Sequence, residues 1–249
     1  MTSVESIKTF QQGSTYCQYD ANEMTEFHPT MLDAQFWQQQ HIVTGSAQGR
    51  GTTWFVKYHH ALSSTEKHWV LRHYYRGGLI GKIIRDSYWF NSYQSTRAAK
   101  EFTLLATMQQ LALPVPQPIA YRVVRRGLLY RADLLSSRIE NAQDLVAILS
   151  SQILPDGVWK KIGATIKRFH NNSIYHHDLN AHNILINDSS DIFIIDFDRG
   201  EIRIDNKNGW QQANMARLQR SFMKELHQLK QFHFNQDNWQ LLLEGYLSH

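Results

Sequence analysis

The stretch His176-His177-Asp178-Leu179-Asn180-Ala181-His182-Asn183-Ile184-Leu185-Ile186 is followed shortly by Ile195-Asp196-Phe197-Asp198, and these two segments decide the reading of the chain. His176, Asp178 and Asn183 fall in the pattern H-x-D-x-x-x-x-N, the spacing of a phosphoryl-transfer loop. An aspartate in that place orients and accepts the proton of an attacking hydroxyl, and the asparagine turns its amide oxygen toward a magnesium ion. One loop thereby holds nucleophile and metal together. Ile184 to Ile186 is a short apolar run, Asn187 to Asp191 are turn residues, and Ile192 to Ile195 is a second apolar run, so the spacing predicts a hairpin. Asp196 then leaves the end of the second strand, where its carboxylate suits a magnesium ion bridging two phosphates. Phe197 is expected to anchor the loop beneath it. Singly, these residues have bland readings as a turn aspartate, a loop amide and a strand-end cap. Their joint spacing, with a strand, turn and strand between them, makes the motif specific.

Upstream, Ile42 to Thr44 and Trp54 to Tyr58 read as strands flanking Gly45-Ser-Ala-Gln-Gly49-Arg50-Gly51. Gly49 and Gly51 suit a loop that lets the backbone approach phosphates, with Arg50 adding charge, although a plain hairpin loop fits the same residues. Trp69 to Tyr74 is a third strand, and Arg97 to Gln110 reads as an amphipathic helix with Phe102, Leu105 and Met108 on its apolar side. Three prolines in Leu113 to Pro118 end that helix and predict an extended connector. Ile119 to Val124 and Leu128 to Leu135 form the next hairpin. Helices are expected over Asp144 to Ser150, Val158 to Asn171, Gln211 to Lys230 and Trp239 to Leu247. In the third of these, Met215, Leu218, Phe222, Leu226 and Leu229 make an apolar stripe flanked by Arg217, Arg220 and Lys224. Residues 1 to about 33 are mixed and polar and are assigned no chemistry.

With these elements in place, the chain resembles the lipopolysaccharide-core sugar kinases, a branch of the protein-kinase-like superfamily, and among them the kinases of 3-deoxy-D-manno-octulosonic acid (Kdo). The resemblance rests on HHDLNAHNILI, on IDFDRG, and on Trp69 to Lys82, WVLRHYYRGGLIGK, whose basic and aromatic strand runs into Arg-Gly-Gly. It implies an α+β, bilobal, protein-kinase-like fold. A small lobe over residues 1–137 would have an antiparallel sheet and one helix, and a mostly helical lobe over 138–249 would hold the catalytic and metal-binding loops. It further implies ATP and Mg2+ as cofactors and phosphorylation of the 4-hydroxyl of Kdo on a Kdo-lipid A precursor. By the same resemblance Asp178 is the catalytic aspartate, His176 braces its loop, and Asn183 and Asp196 hold metal. Arg72 stands where the family superfold has its phosphate-binding strand lysine, with Lys57 and Lys82 as alternatives because arginine is planar and bulkier. Glu101 is the helix glutamate that pairs with that cation. Adenine is expected beside Ser136 to Asn141. His177 replaces the arginine of H-R-D, so a constitutively competent site is expected.

Composition sets the surroundings. One cysteine, Cys17, excludes an intrachain disulfide and a cysteine zinc cluster. Adjacent histidines at 59-60 and 176-177 do not have zinc spacing. There is no signal-like or membrane-spanning apolar run. The net charge of +4 is concentrated at Arg72, Arg76, Lys82 and Arg85, and again at Arg122, Arg125, Arg126 and Arg131. Such clusters suit phosphates, carboxylates or an anionic surface. What the resemblance implies for them is peripheral attachment to the cytoplasmic side of the bacterial inner membrane, since Kdo has a carboxylate, lipid A has phosphates and the inner leaflet is anionic. No nucleic-acid motif accompanies the charge, so no nucleic acid is expected, nor an obligate protein partner. Between Asp196 and Trp210 the segment is short and lacks A-P-E, which favours a small-molecule or glycolipid acceptor over a peptide. A heptose or other small-molecule kinase, and a non-catalytic nucleotide-binding pseudokinase, are the alternatives left open.

Overall fold

The computed structural model describes residues 6–48, 51–59, 66–76, 86–204 and 209–248. Gly49, Arg50, His60, Lys82 and Arg85 lie outside the described residues. Two compact units divide the chain, one of residues 1–110 with 116–138, the other of 111–115 with 139–249.

The first unit is built on strands β1 (Ile7–Gln12), β2 (Thr15–Asp20), β3 (Val43–Gln48), β4 (Thr52–His59), β5 (Glu66–His73), β6 (Tyr88–Trp89), β7 (Pro118–Arg126) and β8 (Leu129–Ser137), with helices α1 (Ala34–Gln39) and α2 (Arg97–Gln110). The strands form one antiparallel sheet in the order β1-β2-β7-β8-β5-β4-β3, and β6 pairs with β8. Side chains on a strand alternate between faces, and β5 shows what that does. Trp69 and Leu71 turn into the core, where the Trp69 ring meets Trp37 of α1 edge-on and stacks on Tyr58. Arg72, one residue on, turns to the other face, toward Glu101 of α2. Helix α2 buries Ala98, Phe102, Leu105 and Met108, with Phe102 against Tyr121 of β7.

Three expectations change here. The polar amino-terminal segment is a hairpin, β1 and β2, at the edge of the sheet. Gly45 to Gln48 belong to strand β3, which carries a bulge at Val43/Gly45, so the glycine loop is shorter than the sequence suggested. The unit has a second, short helix, α1, whose Trp37 donates its indole N–H to Met31 O at 2.7 Å.

The second unit contains β9 (Ala142–Asp144), α3 (Leu145–Leu149), α4 (Asp156–Asn171), β10 (Ile174–Tyr175), β11 (Ile184–Asn187), β12 (Ile192–Ile194), β13 (Glu201–Ile202), α5 (Trp210–Gln228) and α6 (Gln236–Leu247). The hairpin expected after the catalytic motif is present as β11 and β12, and β9 adds a third antiparallel strand. Asp144 is the N-cap of α3 rather than its first residue, accepting from the N–H groups of Val146 and Ala147. Helices α4 and α6 cross with backbone contact: a Cβ on Gly163 would lie 1.9 Å from Leu242 O, and one on Gly245 would lie 2.0 Å from Lys160 O. The result is a mixed α+β protein with an antiparallel sheet, as the sequence indicates.

Candidate active site

The loop from His176 to Asn183 is fixed by its own hydrogen bonds before any ligand is considered. His176 is buried, and its Nδ1 accepts the Asp178 N–H at 3.1 Å while its Nε2 lies 2.9 Å from Ile195 O. Those partners require a neutral ring with the proton on Nε2. Burial holds the His176 pKa below the ordinary imidazole range, against the opposing pull of the Ile195 carbonyl and of Asp196 and Asp178. One side chain thus ties the aspartate loop to the residue preceding Asp196. Asn183 donates its side-chain amide N–H to Asp178 O at 3.0 Å, and its backbone carbonyl accepts from Ile195 N–H at 3.0 Å. With the amide nitrogen so used, Oδ1 is the atom of Asn183 left to face a cation.

Asp196 follows β12 with its backbone in the left-handed region, φ 61°. Aspartate tolerates that region better than most residues, and the turn it begins is closed by Gly200 N–H to Phe197 O at 2.7 Å. The ring of Phe197 is buried against Phe169 and His176, so the anchoring expected of it has a defined floor. Asn183 Oδ1 and the Asp196 carboxylate are oxygen donors of the type a hard cation takes, and they are the residues here that could hold one.

Asp178 itself is 43% exposed and accepts from Arg217 Nη1 at 2.5 Å. Arg217 is one of three α5 side chains that grip this loop. Asn214 bonds the His176 backbone in both directions, donating to its O at 2.9 Å and accepting from its N–H at 3.3 Å. Ser221 Oγ accepts the Ala181 N–H at 2.9 Å. Residues 214, 217 and 221 lie on one side of a helix. The apolar stripe read for α5 is correspondingly altered: Leu226 and Leu229 are exposed, while Asn214 and Glu225 are buried.

In the first unit, Arg72 Nη2 donates to Glu101 Oε1 at 2.5 Å, and the Tyr74 hydroxyl donates to Glu101 Oε2 at 2.6 Å. Arg72 and Glu101 therefore meet as a cation and helix acid. Lys57 is turned to Glu66 at 2.8 Å. The volume above Gly51 is filled by the Tyr75 ring, 2.0 Å from where a Cβ would stand, so any larger residue there would have to displace that ring.

A sequence model of the lipopolysaccharide kinase (Kdo/WaaP) family matches residues 34–246, which include every one of these side chains. The chain belongs to that family. This Kdo/WaaP-family kinase is 45% identical over 228 residues to a protein of Photobacterium profundum named 3-deoxy-D-manno-octulosonic acid kinase, covering 92% of this chain and 93% of the relative. Proteins of the same name from Mannheimia succiniciproducens and Haemophilus influenzae are 46% and 41% identical. The alignments cover 92% and 96% of this chain and 93% and 99% of those relatives. The protein is accordingly a phosphotransferase of the lipopolysaccharide kinase type.

Sequence reading of this kinase missed Tyr74, Asn214 and Ser221, and gave Arg217 no role beyond flanking an apolar stripe. The available signal was polar residues at i, i+3 and i+7 on a helix that was read only for its apolar face.

Proposed function

We propose that this chain transfers the γ-phosphoryl group of ATP to the 4-hydroxyl of Kdo on a Kdo-lipid A precursor. The observation that supports the reaction is the cross-tied set of Asp178, Asn183 and Asp196, linked through His176 and the Ile195 backbone. The names of the relatives support the acceptor.

In the proposed step the acceptor oxygen forms its bond to the γ-phosphorus while the bond to the β,γ-bridging oxygen breaks. ADP leaves with that electron pair, and the hydroxyl proton passes toward the Asp178 carboxylate. Arg217 fixes the orientation of that carboxylate, and His176 holds the loop under it as a neutral ring. Asn183 and Asp196 are the residues assigned to magnesium, which when bound neutralises charge on the β- and γ-phosphates. Arg72, oriented by Glu101, is assigned to phosphate oxygens. Alignment and charge neutralisation supply most of the rate in such a site.

The reaction is proposed to run at the cytoplasmic face of the inner membrane, with the protein attached peripherally. No helix among the described residues is long and apolar enough to cross a membrane. Support for peripheral attachment comes from the β7–β8 turn and the end of β6 beside it: Trp89 of β6 is 73% and Leu128 of the turn 67% exposed, Phe90 N–H bonds Leu128 O, and Arg125 and Arg126 flank the turn. Apolar tips ringed by arginines suit an anionic lipid surface.

The deciding experiment is transfer of label from γ-labelled ATP, with magnesium, to lipid A precursor bearing one Kdo, the product being mapped by mass spectrometry. Wild type should place phosphate on the Kdo 4-hydroxyl, and Asp178→Asn should bind nucleotide but lose most turnover. Near-normal turnover in that variant would remove Asp178 from its role.

A further inference from the structure

The second unit has an open cavity of about 390 Å³ beside Asp178, bounded by the catalytic loop and by α5. Its volume lies within the roughly 300–1,000 Å³ usual for small-ligand sites. Arg217, Arg220 and Lys224 line it from α5, at positions i, i+3 and i+7, and so form one cationic stripe facing the loop. Two of the three already have acidic neighbours. Arg217 is bonded to Asp178, and Lys224 Nζ lies 3.2 Å from the buried Glu225, which His182 Nε2 approaches at 3.5 Å. Arg220 meets no acidic group among the described residues. Further cations bear on the loop. Burial, together with the charges of Arg199, Arg217 and Arg203, holds the neighbouring His177 below its usual pKa.

A hydroxyl acceptor alone gives no reason for such a field, because a neutral sugar needs only hydrogen-bond partners. A sugar acid does. The acceptor in the relatives' name is an octulosonic acid, and its carboxylate is ionised at neutral pH. A guanidinium recognises a carboxylate through two parallel N–H bonds, and a lysine adds a point charge.

We propose that Arg220 and Lys224 form an anion subsite that binds the carboxylate of the acceptor sugar and so presents a ring hydroxyl to Asp178. The proposal rests on the acceptor reading above and identifies specificity-determining residues for it.

Arg220→Gln and Lys224→Gln are exposed substitutions that leave the loop clamps of Asn214, Arg217 and Ser221 in place. Each should raise the acceptor KM about tenfold or more, the usual loss for a hydrogen bond to a charged group, with kcat and the ATP KM little changed. Arg220→Lys should recover part of that loss. The source of the anion is settled by two altered acceptors, one with the Kdo carboxylate as its methyl ester, the other with the lipid A phosphates removed. Wild type should lose on the methyl ester what the double variant has already lost, and the double variant should not distinguish ester from acid. A double variant that still prefers the acid by the wild-type factor would overturn the proposal. So would variants sensitive only to the lipid phosphates, since the subsite would then hold phosphate. Failure of the underlying reading looks different: wild type itself would transfer nothing to any Kdo acceptor, and the proposal would fall with it.

Discussion

Replacing Arg72 by Met tests whether the strand cation and the helix acid form one buried unit. The Glu101 side chain is 3% exposed and Arg72 26%, so Arg72→Met leaves a carboxylate out of water with the Tyr74 hydroxyl as a remaining donor. Breaking a buried pair from one side costs about 3–5 kcal/mol. The quarter of Arg72 that reaches solvent argues for the lower end, about 3 kcal/mol. Glu101→Leu should cost less by loss of charge, because Arg72 can turn to water, but it strands the buried Tyr74 hydroxyl for about 1–3 kcal/mol. Removing both charges together should cost far less than the sum, leaving chiefly the Tyr74 term, so the cycle should give a coupling of about 2–3 kcal/mol. Urea unfolding followed by tryptophan fluorescence reports the stability, and label transfer from ATP reports the function. The double variant should recover stability without recovering transfer, which separates holding the sheet to α2 from contacting phosphate. Strictly additive singles, or an Arg72→Met cost below about 1 kcal/mol, would refute the coupled pair. Normal transfer by the double variant would remove Arg72 from phosphate binding.

Acid sensitivity should come partly from His170, which burial lowers to about 4 and which contacts the Tyr246 hydroxyl at 2.7 Å. The unfolded ring titrates near ~6.5, so its proton is taken up by the unfolded chain first. This contribution to stability is complete above that pH and declines as pH falls toward 4, by about 3 kcal/mol in all. His170→Gln should flatten the variant's own stability-versus-pH profile over that window, so that the wild-type minus variant difference slopes there, and equal pH slopes in the two proteins would reject the idea. Membrane attachment is tested by sedimentation with phosphatidylglycerol and phosphatidylcholine vesicles. Wild type should bind the anionic vesicles, more weakly at high salt, and Trp89→Ser with Leu128→Ser should release it; undiminished binding by that pair would exclude the β7–β8 turn as the contact.

How much of this was legible in the sequence depends on how local the determining forces are. Helix α2 begins and ends where its apolar periodicity and the following prolines put it, at Arg97 and Gln110. The β11–β12 hairpin was equally plain, because two isoleucine-rich runs flank a turn in which Asn187 Oδ1 accepts from the N–H groups of Ser189 and Asp191. Strands β1 and β2 were not. β1 is an edge strand reading IKTFQQ, mostly exposed, and the hairpin is fixed to the sheet through β2, whose partner β7 lies about a hundred residues away. The same holds for β9, three residues long, which owes its conformation to pairing with β11.

The site divides in the same way, and the division explains which residues went unnoticed. His176, Asp178, Asn183 and Asp196 sit within about twenty residues of one another, so their spacing alone proposes a chemistry. The groups that hold them sit on α5, some forty residues on, where an asparagine, an arginine and a serine look like the wet side of an amphipathic helix. Helical geometry puts positions 214, 217 and 221 on one side, yet only the packing of α5 on the loop tells what that side meets. Buried Asn214 and Glu225 are the informative exceptions, since a polar side chain out of water needs a partner. For Asn214 the partner is the backbone of the loop at His176, and for Glu225 it is the Lys224 ammonium beside the cavity that both residues line. A helix that carries its polar residues inward at two points, one on the loop and one beside the cavity, therefore holds that loop in its conformation rather than standing as a wall behind it.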